Sequence, residues 1–164
     1  MPISFLRAVS RTMPKKDDRP YLQGVHVING LVEATDGKVV IRVQSSQIES
    51  DGEYVIKDTS IFRLLRDRAF LMSVVDGISD VAGRVELACE GGEYPNLSPL
   101  FEREGEPGVA QIDPDLLVRV KRAMQDLGSK YGLFLLRQRG ELQARVEEEY
   151  GGAVLTALIA PWRP

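Results

Sequence analysis

One order of patterns recurs three times along this chain. A stretch with apolar residues at helical spacing is followed by short stretches in which apolar residues alternate. The repeat length is roughly 55 residues, and it lies in pattern rather than in letters. Each element has one apolar face, so each helix must pack on its own sheet or on a neighbouring unit. The reading is an α+β chain of three helix-plus-antiparallel-strand units, with the helices on one face of the sheets.

In the first unit, residues 3–16 place Phe5, Leu6, Val9 and Met13 on one helical face, and Pro14 ends or bends the helix. YLQGVHVIN, LVEATDG and KVVIRVQ read as strands, with Asp36-Gly37 as a hairpin turn. In the second unit GEYVIK is a strand. Asp58 or Thr59 caps a helix over 58–70 that carries Ile61, Phe62, Leu64 and Leu65, and VELACEG is a further strand. NLSPLFEREGEPG, rich in Pro, Gly and Glu, reads as a linker. In the third unit VAQI is a strand. Asp113 caps a helix over 113–130, Pro114 occupies its first turn, and Leu116, Leu117, Val120, Met124 and Leu127 form its buried stripe. Gly128 closes it, and YGLFLLR, ELQARVE and AVLTALIAPW follow as strands. The first unit lacks a clear strand before its helix.

Charge is distributed unevenly over this pattern. The chain is acidic, with a formal net charge of −3. Yet the helices at 3–16, 58–70 and 113–130 carry +4, +1 and +1, so everything else carries −9. Asp58, Asp113 and Asp115 lie at helix starts, where the helix dipole accounts for them, so the helix bodies are more basic still. A solvated helix face explains any one of these helices. Three in succession suggest a common surface facing a polyanion, with phosphates met through cations that read no sequence.

Little points to chemistry or to a membrane. The single cysteine, Cys89, permits no internal disulfide and suits a reducing cytoplasm. No apolar run approaches the ~20 residues of a membrane helix. The N-terminus lacks the plan of a secretory signal, although its Arg and Ser residues imitate a mitochondrial presequence. His26, the only histidine, sits within a strand and reads as structural. Cys89 reads as a small buried hydrophobe, and Glu147–Glu149 as a solvated strand end. No phosphate-binding glycine loop, dinucleotide fingerprint or paired metal-ligand spacing is present. No nucleophile, base and orienting group can be assembled, so the chain is read as a non-enzyme without cofactor or metal.

Four stretches in order resemble one family. RPYLQGV at Arg19–Val25 resembles the R-P-x-L-x-G-V that follows the first helix of a bacterial sliding-clamp domain. ATDGKVV at Ala34–Val40 resembles A-T-D-G-H-R-L. GGEYPNLSPLF at Gly91–Phe101 resembles the passage between clamp domains, and LIAPWRP resembles the closing V-V-M-P-M-R-L. Over nearly its whole length the chain is similar to the β subunit of DNA polymerase III, the sliding clamp. The resemblance implies a ring whose helices line a hole for duplex DNA and whose sheets form the outer wall. Such a ring does no chemistry, and tethers polymerases to DNA.

On this resemblance the candidate DNA contacts are Arg7, Arg11, Lys15, Lys16, Arg63, Arg66, Arg119, Arg122 and Lys130. The family's peptide groove carries over to Thr35, Gly37, Lys38, Val39 and Val40 on one wall, and to Leu158, Ala160, Pro161, Trp162, Arg163 and Pro164 on the other. Lys38, Val39 and Pro164 depart from the family's His, Arg and Leu, which implies either a different choice of peptide or a degenerate pocket. The implied partners are double-stranded DNA, a DNA polymerase and a clamp loader. The domain reading is 1–97 as a clamp domain of two units (1–50 and 51–97), 98–108 as linker and 109–164 as a half domain. The family's ring holds twelve units, so three per chain imply a homotetramer of alternately flipped subunits. The size points to a phage or mobile element, and hence to the cytoplasm of a bacterial or phage-infected cell. A clamp-like regulator or decoy that binds replication proteins without encircling DNA is the alternative. A small DNA-modifying enzyme using His26 is a third reading.

Overall fold

Strand alternation is carried through two three-stranded meanders, and it builds a sheet with two unlike faces. The computed structural model describes residues 1–14, 19, 22–50, 52–57, 89–90, 94–102, 111–132, 137–139 and 143–161; for 89–90, 137–139 and 143–148 the description is of the backbone. The strands are β1 (Val25–Ile28), β2 (Leu31–Thr35), β3 (Val39–Ser45), β4 (Tyr54–Ile56), β5 (Cys89–Glu90), β6 (Arg137–Arg139), β7 (Gln143–Tyr150) and β8 (Ala153–Ile159). The helices are α1 (Ile3–Ser10), α2 (Ser98–Glu102) and α3 (Pro114–Asp126). All eight strands join one sheet in the order β5-β4-β1-β2-β3-β8-β7-β6, and every neighbouring pair is antiparallel.

The centre of this sheet is the pairing of β3 with β8, in register from Val39↔Ile159 to Ser45↔Ala153. The β1-β2-β3 meander of the first unit therefore meets the β6-β7-β8 meander of the third, and the two form one continuous sheet. Each meander follows a helix, α1 or α3, and these two helices pack on each other and on the sheet. The pairing places one unit opposite another in antiparallel fashion, as a local two-fold would. The second unit contributes β4 and β5, which extend the sheet beyond β1. Its 58–70 helix lies outside the described residues.

The helix-side core explains the join. In β3 and β8 every second residue points toward the helices: Val39, Ile41 and Val43 from one, Ala153, Leu155, Ala157 and Ile159 from the other, all buried. From α1 come Ile3, Phe5, Leu6, Ala8 and Val9, and from α3 come Leu116, Val120, Ala123 and Met124. Burying such a side chain is worth roughly 1.5–3 kcal/mol. Neither helix has another apolar surface to cover it among the described residues.

The termini of α3 follow the sequence signals. Asp113 accepts the Asp115 amide at 2.9 Å, and Pro114 is in the first turn. At the other end the Gly128 and Ser129 amides donate to the Gln125 and Met124 carbonyls, with Gly128 at φ +105°. The helix stops at Asp126, short of the expected residue 130. α1 has no side-chain cap and ends at Ser10, with turns continuing to Met13 ahead of Pro14. That is shorter than the expected 3–16, because the residue before a proline avoids helical geometry.

Two expectations change. The stretch from 98 carries α2 rather than a bare connection, because Leu97, Leu100 and Phe101 recur at helical spacing and bury against the sheet. Gln111–Ile112, the described part of VAQI, is not in a strand. The sheet face away from α1 and α3 is thus covered by residues 94–102, over Val40, Val55 and Leu158. Among the described residues no helix is long and apolar enough to cross a membrane.

Candidate functional site

Side-chain oxygens of Thr35 and Asp36 bond the turn between β2 and β3. Asp36 Oδ1 accepts the amides of Lys38 at 2.8 Å and Val39 at 2.9 Å. Thr35 Oγ1 accepts the Gly37 amide at 3.0 Å and donates to the Val39 carbonyl at 2.9 Å. Gly37 takes φ +85°, which disfavours a side chain there. Asp and Gly at these places are what an Asx-supported hairpin requires. The Ala160 amide donates to the Lys38 carbonyl at 2.7 Å, so the end of β8 is bonded to the same turn.

A groove of about 310 Å³ lies against this turn. Val40 and Leu158, opposite each other in register, are both buried in the small cluster beneath it. Thr35, Gly37, Lys38, Val39 and Val40 line it together with Leu158 and Ala160. Seven of the eleven residues expected at a peptide groove therefore meet in one place, and both walls come from one chain. Pro161 follows without lining it; Trp162, Arg163 and Pro164 lie outside the described residues.

Sequence reasoning missed the remaining wall, formed by Arg19, Leu22, Pro95, Leu97 and Leu100. A signal was available. Asn96 stands two residues before Ser98-Pro99, its side chain accepts the Ser98 amide at 3.1 Å, and Pro99 suits a first helical turn. Together these mark a short helix start inside what reads as a loop.

On the opposite side a second, larger cleft of about 1070 Å³ opens between α1 and α3. Arg7, Arg11, Arg119 and Arg122 all line it, although α1 and α3 lie more than one hundred residues apart in sequence. Arg11 and Arg119 each meet a carboxylate. Arg11 binds Asp126 with two hydrogen bonds, at 2.7 and 3.0 Å, and that bonding raises its pKa further. Arg119 pairs with Asp36 Oδ2. Arg122 is exposed. Lys130 is exposed away from the cleft, with its Nζ 5.2 Å from the Tyr131 ring centre. Lys15, Lys16, Arg63 and Arg66 lie outside the described residues. Arg19 and Lys38 line both the cleft and the groove.

His26 takes no part in either. It is buried, with Nδ1 3.0 Å from Glu33 and Nε2 2.8 Å from Glu53, and it stacks on Tyr94 with ring centres 4.5 Å apart. Glu33 also accepts from Arg42 Nε at 2.9 Å, and Arg42 lies under the Phe101 ring at 3.7 Å. Both ring nitrogens of His26 contact carboxylates of the fold. Its role is to seat the 94–102 cover. Glu33 is buried, with Arg42 and His26 opposite it in register. Among the described residues no group of three or more His, Cys, Asp or Glu is placed to hold a metal ion.

No protein-family model matches the sequence, and no curated protein matches it. Solved structures do match. The H. pylori beta clamp, solved in complex with diflunisal, superimposes with a TM-score of 0.63 at 10% identity, covering 99% of this chain and 64% of that one. A DNA polymerase III subunit beta sliding clamp from Bartonella birtlesii superimposes with a TM-score of 0.52 at 14% identity, covering 99% and 63%. The chain thus spans less than two thirds of either structure. At these identities the likeness is one of fold, and the fold of this chain is that of the bacterial DNA sliding clamps.

Proposed function

We propose that this chain is a DNA sliding clamp: a homo-oligomeric ring that encircles duplex DNA and tethers a DNA polymerase. The observation that carries the reading is the convergence of Arg7, Arg11, Arg119 and Arg122, from two distant helices, on one cleft of a clamp fold. Cations on long side chains attract phosphates with little dependence on position along the duplex, which permits sliding. The ring performs no chemistry and needs no cofactor. The apolar groove at Val40 and Leu158 would take a short peptide from the polymerase or a clamp loader, anchored at a few buried side chains. With three units per chain, among them the 1–97 pair and the 109–164 half domain, four chains would complete twelve units. The site of action would be the cytoplasm of a bacterial or phage-infected cell.

The test is retention on DNA. The protein is loaded on a closed circle, which is then cut. A topologically linked ring leaves through the new ends, whereas a protein held by ordinary contacts stays, and staying would refute encirclement. Light scattering should give the mass of four chains.

A second reading is favoured by one observation: Arg11 and Arg119 are already neutralised by Asp126 and Asp36. A cleft with partly satisfied cations suits a clamp-like regulator that captures replication peptides without enclosing DNA. A stable monomer that binds peptide and leaves DNA unbound would establish that alternative.

A further inference from the structure

The cleft and the groove are two sides of one turn, and a single carboxylate serves both. Asp36 Oδ1 holds the amides of Lys38 and Val39, which shapes the rim of the groove. Its other oxygen, Oδ2, pairs with Arg119, which projects from α3 into the cleft. The Asp36 side chain is only 11% exposed, whereas Arg119 is 38% exposed and within reach of an anion in the cleft. Arg19 adds a parallel link, donating from Nη2 to the Asp36 carbonyl at 3.2 Å while lining both cavities. The turn in turn holds the end of β8 through the Ala160 amide.

We propose that occupancy of the cleft by phosphate and occupancy of the groove by peptide oppose each other through the Asp36–Arg119 pair. The inference rests on the reading that duplex phosphates enter the cleft and a peptide enters the groove. A phosphate and Asp36 compete for one guanidinium. When Arg119 turns to phosphate, a largely buried carboxylate loses the guanidinium bonded to its Oδ2. That strains the arrangement that holds Lys38, Val39 and, through Lys38, Ala160. The groove then loses its rim. By linkage, a peptide that orders the rim keeps Asp36 on Arg119 and weakens phosphate binding by the same factor. A clamp so built would release its peptide partner more readily where it grips DNA closely. Arg19 and Lys38 line the cleft beside Asp36, and Asp113 and Asp115 line it too, Asp115 one helical turn before Arg119 on α3.

The test has two arms. The first needs no ligand: hydrogen exchange at the Lys38, Val39 and Ala160 amides in the full chain and in Arg119→Gln. We expect exchange about 5-fold faster in the variant at these three amides, and unchanged at Val27 and Ala157 in the sheet. Unchanged exchange at the turn overturns the inference. The second arm titrates labelled short duplex DNA and a labelled leucine-rich acidic peptide, each alone and each with the other saturating. We expect each to weaken the other about 5-fold in the natural chain, and the effect to vanish in Asp36→Asn, which keeps an acceptor for the turn amides but loses the charge. If both probes bind alone yet ignore each other, the coupling is wrong and the clamp reading stands. If neither binds alone, the clamp reading fails and the coupling with it.

Discussion

Glu33 lies in β2 with Arg42 opposite it on β3 and His26 opposite it on β1, and its side chain is 3% exposed. Arg42 Nη2 is 2.7 Å from its carboxylate, although that contact is not aligned as a hydrogen bond; the aligned one comes from Nε. Removing one member of such a pair strands the other without water. Glu33→Ala should therefore cost about 3–5 kcal/mol, read from the urea unfolding midpoint. Tyr94, stacked on His26, has a buried hydroxyl near the Thr35 backbone, in a contact not aligned as a full hydrogen bond. Burial, and then the nearby charge of Glu33, push its pKa above the ordinary tyrosine value. The folded chain keeps this proton where the unfolded chain releases it. The stabilisation is complete below about pH 10 and declines as pH rises beyond it, by about 1.4 kcal/mol per pH unit from this residue. Tyr94→Phe should leave stability at pH 7 within about 1 kcal/mol and flatten the decline between pH 10 and 11, as measured by urea titration at each pH.

At the scale of elements, α3 depends on its ends more than α1 does. α1 has no capping side chain and no acid in its first turn, and is held by five buried residues. α3 has a cap, a first-turn proline and a glycine stop. Asp113→Ala should remove about 1 kcal/mol, and Gly128→Ala about 1–2 kcal/mol because alanine resists φ +105°. Either change lowers the melting temperature by about 2–4 °C per kcal/mol, readable by calorimetry. A comparable truncation on α1, Leu6→Ala, should cost about 2–5 kcal/mol, because that side chain is wholly buried between helix and sheet.

At the scale of the molecule, the central fact is the meeting of β3 and β8. It lays α1 beside α3, and so brings Arg7 and Arg11 to the same cleft as Arg119 and Arg122. If duplex DNA occupies that cleft, Arg122→Ala should weaken binding equally across sequences and lower the slope of log affinity against log salt by about 1. Arg11→Ala should change the slope less, because Asp126 already engages that side chain in two hydrogen bonds. Binding isotherms at several salt concentrations separate the two. An equal slope change for both would show that Asp126 releases Arg11 in the complex.

The sequence alone determined what depends on neighbours along the chain. Asp36-Gly37 forms its turn, Asp113 and Gly128 bound their helix, and the alternation in VHV, LVEAT and VVIRV builds strands, because those preferences act within a few residues. The groove was legible at Thr35 to Val40 and at Leu158 and Ala160 because they flank a turn and a strand end that could be matched by position. Tertiary structure decided the rest. Unit one pairs with unit three because β3 and β8 offer matched apolar faces over seven residues, and no local rule selects a partner that far away. The same docking puts Asp36 beside Arg119, sinks Glu33 between Arg42 and His26, and turns Leu97, Leu100 and Phe101 from a loop-like run into a wall. Each of these is a contact between distant segments. Its free energy appears only once the sheet has closed around it.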